Sequence, residues 1–100
     1  LTFRSKYRAA DIEEKQNSIV PGGLFEISKS DEKKLDVYED YPILYKKFYF
    51  YYYGKKVMTY TMVNKSSFKF PTERYFNIVK RGYKDCNLDI KYLMKALAGK

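Results

Sequence analysis

One hundred residues, 45% of them apolar and 19% aromatic, are enough to fill one core and imply a single domain. Twenty Lys and Arg against twelve Asp and Glu leave a formal charge of +8. The excess is mostly lysine in scattered pairs (Lys33-Lys34, Lys46-Lys47, Lys55-Lys56), which reads as solvated surface rather than an arginine stripe matched to phosphates. A single cysteine, Cys86, excludes an internal disulfide, and with no His in the chain its thiol lacks the usual partner of a cysteine nucleophile. A packed, inert thiol in a reducing, cytoplasmic setting is expected. The apolar runs are far below membrane-span length, and no charged leader precedes a cleavage site, so a soluble domain is expected. The chain begins at Leu1 rather than Met, within a strand-like pattern, which suggests a missing upstream segment.

Residues 1–7 alternate apolar and polar through Leu1, Phe3, Ser5 and Tyr7, the pattern of a short strand. Residues 11–18 are polar and carry the turn signal Gln16-Asn17-Ser18, so they read as a surface loop. A strand follows over residues 19–27, with Pro21, Gly22 and Gly23 marking a bulge or a close backbone approach. Over residues 28–40 the period becomes helical: Ser30 can cap, Asp31 and Glu32 suit the positive end of the dipole, and Leu35 and Tyr38 form an apolar edge. That helix must stop before Tyr41-Pro42, because proline pushes its predecessor out of the α region, and Glu39 then sits at the helix end.

Residues 47–53 and 56–63 are rich in aromatic and β-branched side chains and predict an antiparallel hairpin turning at Gly54-Lys55. Residues 64–70 form a loop. Pro71 is placed to open a helix whose stripe includes Tyr75, Ile78 and Val79, and Gly82 to end it. A last helix spans residues 88–98, with Ile90, Leu93, Met94 and Leu97 on one face and Gly99 past its end. Twelve Tyr and seven Phe without Trp suit half-buried strands, where the ring packs and the hydroxyl meets water.

No zinc-ligand spacing, phosphate-binding glycine loop, nucleophile elbow or His-containing triad is present, so metal hydrolysis, nucleotide binding and triad chemistry lose their candidates. Carboxylates and tyrosines remain, densest in Leu35-Asp36-Val37-Tyr38-Glu39-Asp40-Tyr41-Pro42. On composition alone these acids are an ordinary exposed helix end.

Taken in order, several segments resemble the γ-glutamylcyclotransferases and their γ-glutamylamine relatives. Ala10-Asp11-Ile12 resembles the family's Ala-Thr-Ile step, and Val20-Pro21-Gly22-Gly23-Leu24-Phe25-Glu26-Ile27 its Val-x-Gly strand. The segment 35–42 resembles its Leu-Asp-x-Tyr-Glu-Gly-x-Pro signature, in which the Glu is the catalytic acid/base. Tyr45 matches a tyrosine opening the next strand, Thr59-Tyr60 a Thr-Tyr on the hairpin's return arm, and Pro71 through Tyr75 with Gly82 the Pro-x-x-x-Tyr helix and its end. Asp40 stands where the family has Gly, and the family's first strand with its Tyr-Gly-Ser-Asn loop, which supplies substrate-holding amides, is absent.

The resemblance implies an α+β fold in which a small mixed β-sheet curls into a barrel flanked by short helices. It implies Glu39 as general acid/base, with Tyr75 and Tyr45 shaping the pocket. It implies a small-molecule γ-glutamyl substrate, no cofactor, no metal, no nucleic-acid partner and no membrane. The chemistry suits a lone carboxylate: the α-amine and γ-carbonyl are tethered at five-membered-ring distance, so the enzyme orients them, moves a proton and releases 5-oxoproline. Two other readings compete. One is a non-catalytic member of the same fold that binds a metabolite or a protein; the other is a basic module that stacks single-stranded nucleic acid on tyrosines.

Overall fold

The computed structural model describes residues 1–98; Gly99, expected past the last helix, lies outside them. Seven elements follow in order: strands β1 (Thr2–Arg4) and β2 (Ala9–Asp11), helix α1 (Lys29–Tyr38), strands β3 (Tyr45–Tyr52) and β4 (Lys55–Met62), and helices α2 (Glu73–Asp85) and α3 (Ile90–Leu97). They form two compact units. The first comprises Leu1–Leu24 and the chain from Lys65 onward, the second Phe25–Asn64. No helix among the described residues is long and apolar enough to cross a membrane.

In the first unit β1 and β2 pair antiparallel, with Phe3 opposite Ala10, and an isolated bridge joins Arg4 to Phe68. Phe3, Tyr83, Leu93 and Ala96 are buried together, with Tyr75, Phe76, Val79, Leu88 and Leu97 packed around them. Helix α2 is capped by Thr72, whose hydroxyl accepts the Tyr75 N–H at 3.2 Å, so Pro71 precedes the helix instead of opening it. The helix also runs through Gly82 to Asp85. Glycine ends a helix by turning left-handed; here that role falls to Asn87 (φ 55°), whose N–H reaches the Lys84 carbonyl while the Leu88 N–H reaches that of Tyr83. The stripe of Tyr75, Phe76, Val79 and Tyr83 is what extends it, because Tyr83 is part of the core. Cys86, expected to be packed, is the exposed C-cap residue beyond that stripe.

On α3, capped by Asp89, the inward stripe is buried Leu93 and Ala96 with half-buried Leu97, whereas Ile90 and Met94 of the expected face are exposed. Arg4 of β1 and Asp11 of β2 belong to a charged cluster. Asp11 Oδ2 is 3.2 Å from Arg4 Nε and 2.7 Å from Lys65 Nζ, and Arg4 also reaches Glu13 (3.1 Å) and the Ser66 carbonyl (3.0 Å).

The strand expected over residues 19–27 is not formed; the chain from Ile12 to α1 has no regular structure. Pro21 lacks a ladder donor, and Gly22 and Gly23 bring no side chain to pack. Apolar content alone does not make a strand without a partner, and Phe25 stays 78% exposed.

In the second unit α1 is capped by Ser28, not Ser30. The Ser28 hydroxyl accepts the Asp31 N–H at 3.0 Å, and the Asp31 carboxylate accepts the Ser28 N–H at 3.3 Å. At the other end Glu39 is the C-cap and Asp40 adopts φ 53°, with Tyr41 N–H bonding to the Asp36 carbonyl (2.9 Å) and Asp40 N–H to that of Val37 (3.2 Å). That left-handed position, which glycine fills most easily, is held here by Asp40; Asp tolerates it better than most residues.

Strands β3 and β4 form the expected antiparallel hairpin, but the turn is Tyr53-Gly54, so Tyr51 rather than Tyr53 faces Lys56. Both turn residues have positive φ (48° and 75°), as a two-residue type I′ turn requires. Tyr53 is a poor residue for that geometry and is 90% exposed. Tyr53→Asn should therefore stabilise the hairpin by about 1 kcal/mol, read as a higher urea midpoint with unchanged slope; an unchanged or lower midpoint would count against the turn.

Neither sheet closes. Each holds two antiparallel strands, and no parallel pair or third strand joins them among the described residues, so the expected mixed sheet curling into a barrel is replaced by two hairpins with three helices. A barrel needs an unbroken ladder around its circumference, and the segment 19–27, expected as a further strand, carries the Pro and Gly residues that defeat pairing.

Candidate functional site

The second unit gathers most of the chemistry. Glu32 and Asp36 lie four residues apart on one face of α1, and Lys47 and Tyr60 lie directly opposite each other on the hairpin, hence on one face of it. The Lys47 ammonium is 2.6 Å from Glu32 Oε2 and 3.0 Å from Asp36 Oδ2, and stands 4.4 Å over the Tyr41 ring. Its side chain is only 12% exposed, although a solvated surface pair was expected at Lys46-Lys47. The Tyr60 hydroxyl donates to Asp36 Oδ1 at 2.6 Å, so both Asp36 oxygens are engaged. Tyr45, buried at the start of β3, packs edge-on against Tyr60 with centroids 6.5 Å apart.

These contacts set the protonation states. The Tyr60 hydroxyl bond, then the Lys47 ammonium, hold Asp36 below the ordinary carboxylate range. Hydrogen bonds to Glu32 and Asp36 raise Lys47 further. Burial, reinforced by the bond to Asp36, raises Tyr60, which therefore stays a donor. Glu39 is different. It is half-buried at the C-cap, and burial alone pushes its carboxyl above the ordinary value. Two carboxyls three residues apart are thus driven in opposite directions, Asp36 toward the anion and Glu39 toward the protonated form.

Of the three expected site residues, Glu39 and Tyr45 belong to the second unit and Tyr75 to the first. The Tyr75 hydroxyl accepts the Ala10 N–H at 3.0 Å, and its ring meets Phe3 edge-on at 6.4 Å. Asp36, read from the sequence as part of an ordinary exposed helix end, is instead the centre of the polar network, with Lys47 and Tyr60. The signal for that network is the acid pair on α1 combined with the hairpin register. A groove of about 790 Å³ in the first unit, bordered by Asn77, Lys80, Tyr83, Lys84 and Leu88, contains none of the expected site residues.

No family model, no curated protein and no solved structure matches this chain.

Proposed function

We propose that the chain carries the acid/base part of a γ-glutamylcyclotransferase-like active site, with Glu39 as the proton carrier and 5-oxoproline as product. The carrying observation is the contrast between Glu39, raised by burial, and its neighbour Asp36, locked as an anion. A half-buried carboxylate with a raised pKa takes a proton from the substrate α-ammonium, the freed amine attacks the γ-carbonyl, and the same group returns the proton to the leaving amine. Ring closure expels the amine and forms the lactam, so no nucleophile on the protein, and no cofactor, enters the chemistry. Tyr45, in the same unit as Glu39, is proposed to shape the pocket, and a cytoplasmic location accords with the lone thiol of Cys86. The test is release of 5-oxoproline by the complete protein from a panel of γ-glutamyl amino acids and amines. Absence of turnover across the panel would defeat the reading.

A second reading is favoured by the exposed rings of the hairpin. Residues 48–53 are all aromatic and all exposed, and the stretch between Asp40 and Asn64 has three exposed lysines, Lys46, Lys55 and Lys56, and no acid. Such a surface suits bases stacked on rings with the backbone near ammonium groups. If it binds single strands, affinity for an oligouridine should fall steeply between 50 and 200 mM salt, and Phe50→Ala should weaken it. Absence of binding at 50 mM salt would leave the cyclotransferase reading alone.

A further inference from the structure

We infer that Asp36 is a positioning residue for Glu39: its two oxygens, gripped by Tyr60 and Lys47, fix the last turn of α1 on the hairpin and thereby fix where the Glu39 carboxyl lies. The inference rests on the acid/base reading of Glu39 and assigns a role to two residues, Asp36 and Tyr60, that lie in the resembling segments and have none in the chemistry above. Asp36 is tied at both ends. Its side chain holds the hairpin through the 2.6 Å and 3.0 Å bonds, and its carbonyl accepts the Tyr41 N–H at 2.9 Å, closing the turn that contains Glu39. Glu39 itself hangs from the preceding residue, its N–H bonded to the Leu35 carbonyl at 2.8 Å. Residues three apart are neighbours on a helix surface, so a shift of Asp36 carries Glu39 with it. The grip is itself braced: Lys47 is held by Glu32 as well, and Tyr60 by the edge of Tyr45.

The charged and titratable groups of this assembly are Glu32 and Asp36 on α1, Lys47 and Tyr60 on the hairpin, and Asp40 and Tyr41 in the turn. Burial is the cause of the Glu39 shift, so loosening the turn should act on Glu39 through solvation rather than through lost charge. Tyr60→Phe keeps the ring against Tyr45 and deletes only the donor; Asp36→Asn keeps the shape and deletes the anion.

The experiment measures kcat and KM of the complete protein for its best γ-glutamyl substrate. In parallel, the Glu39 carboxyl carbon is titrated by NMR in wild type, Tyr60→Phe, Asp36→Asn and the double variant. Displacement of a proton-transfer group by about 1 Å costs on the order of a hundredfold. Each single variant should lower kcat by about ten- to a hundredfold with KM nearly constant, and the double variant should lose little more than either. The Glu39 midpoint should move down toward the ordinary carboxylate value. Ser28→Ala, which weakens α1 at its far end, should lower stability without moving kcat or the midpoint. Wild-type kcat and an unmoved midpoint in Tyr60→Phe would overturn the inference, and that variant decides the matter if Asp36→Asn does not fold. Full activity of Glu39→Gln would instead overturn the acid/base reading, and the NMR midpoint would still report whether the clamp sets the Glu39 environment.

Discussion

Glu39→Gln should lower 5-oxoproline release by about 10³- to 10⁴-fold while leaving the fold at least as stable as wild type at neutral pH. One group serves both proton transfers in the proposed reaction, which places the loss toward the upper end of the roughly 10²- to 10⁴-fold effect of general acid/base groups. The amide has the size of the carboxyl but cannot accept the α-ammonium proton. Stability should respond in the opposite direction. Burial raises the Glu39 carboxyl above its unfolded value, so the folded chain holds that proton more tightly than the unfolded chain. The stabilising contribution is complete below the unfolded pKa and is lost as pH rises through the folded value. At neutral pH the charged form is therefore a burden that Gln relieves, and the advantage of Gln should vanish in acid. Catalysis and stability are in tension at this residue, as expected of a working site. The same shift places the acid limb of kcat/KM above the ordinary carboxylate range, because the base must be deprotonated to begin. The measurements are product release by the complete protein and thermal unfolding of both forms across pH. Full activity in Glu39→Gln would remove the proposed chemistry, and a collapse in melting temperature would make Glu39 a structural residue.

Elements whose signals are local were legible in the sequence. The aromatic arms around Gly54, the acids at the start of α1 and the proline after its end all act over a few residues, and each element forms where those signals stand. Boundaries failed where two local choices competed. Ser28 and Ser30 both stand where α1 begins, but only Ser28 has an acid three residues on, Asp31, to complete the reciprocal cap. Gly82 looked like a stop, yet Tyr83 beyond it is core, and burial outweighs the cost of a helical glycine of about 1 kcal/mol.

Residues 19–27 were misread because a strand is a property of a pair, and their composition could not provide the partner. The barrel expectation came from resemblance rather than pattern, and it fails for the same reason. The site divides in the same way. Glu39 stood out only through the resembling segment, since a helix-end acid is otherwise unremarkable. The clamp on Asp36 depends on long-range register. A turn at Gly54-Lys55 would put Lys47 opposite Met62, whereas the turn at Tyr53-Gly54 puts it opposite Tyr60 and builds the network. A register change of two residues keeps every side chain on its face and still changes its neighbours.

The largest stability effect should come from Asp11→Ala, which is expected to destabilise the first unit by about 3 kcal/mol. Asp11 is 2% exposed, and its carboxylate faces the Arg4 guanidinium, whose side chain is 7% exposed, and the Lys65 ammonium. Deleting one partner of a buried ion pair costs about 3–5 kcal/mol, because the other charge stays behind without its counter-ion. The lower end applies here: Glu13 and the Ser66 carbonyl still reach the guanidinium, and Lys65 is partly solvated and keeps the Ile12 carbonyl at 3.1 Å. Lys65→Met should cost less, about 1 kcal/mol or below, since a one-third-exposed ammonium is well screened. Replacing both buried partners, Arg4→Met with Asp11→Leu, should recover most of the loss, since an apolar pair of similar volume needs no desolvation of charge. Urea unfolding of the three variants tests this, with the slope checked to ensure that the same surface is exposed in each. A loss below about 1 kcal/mol in Asp11→Ala would mean that water reaches Arg4 freely. A double variant as unstable as Asp11→Ala would mean that the cluster acts through strand geometry rather than through charge.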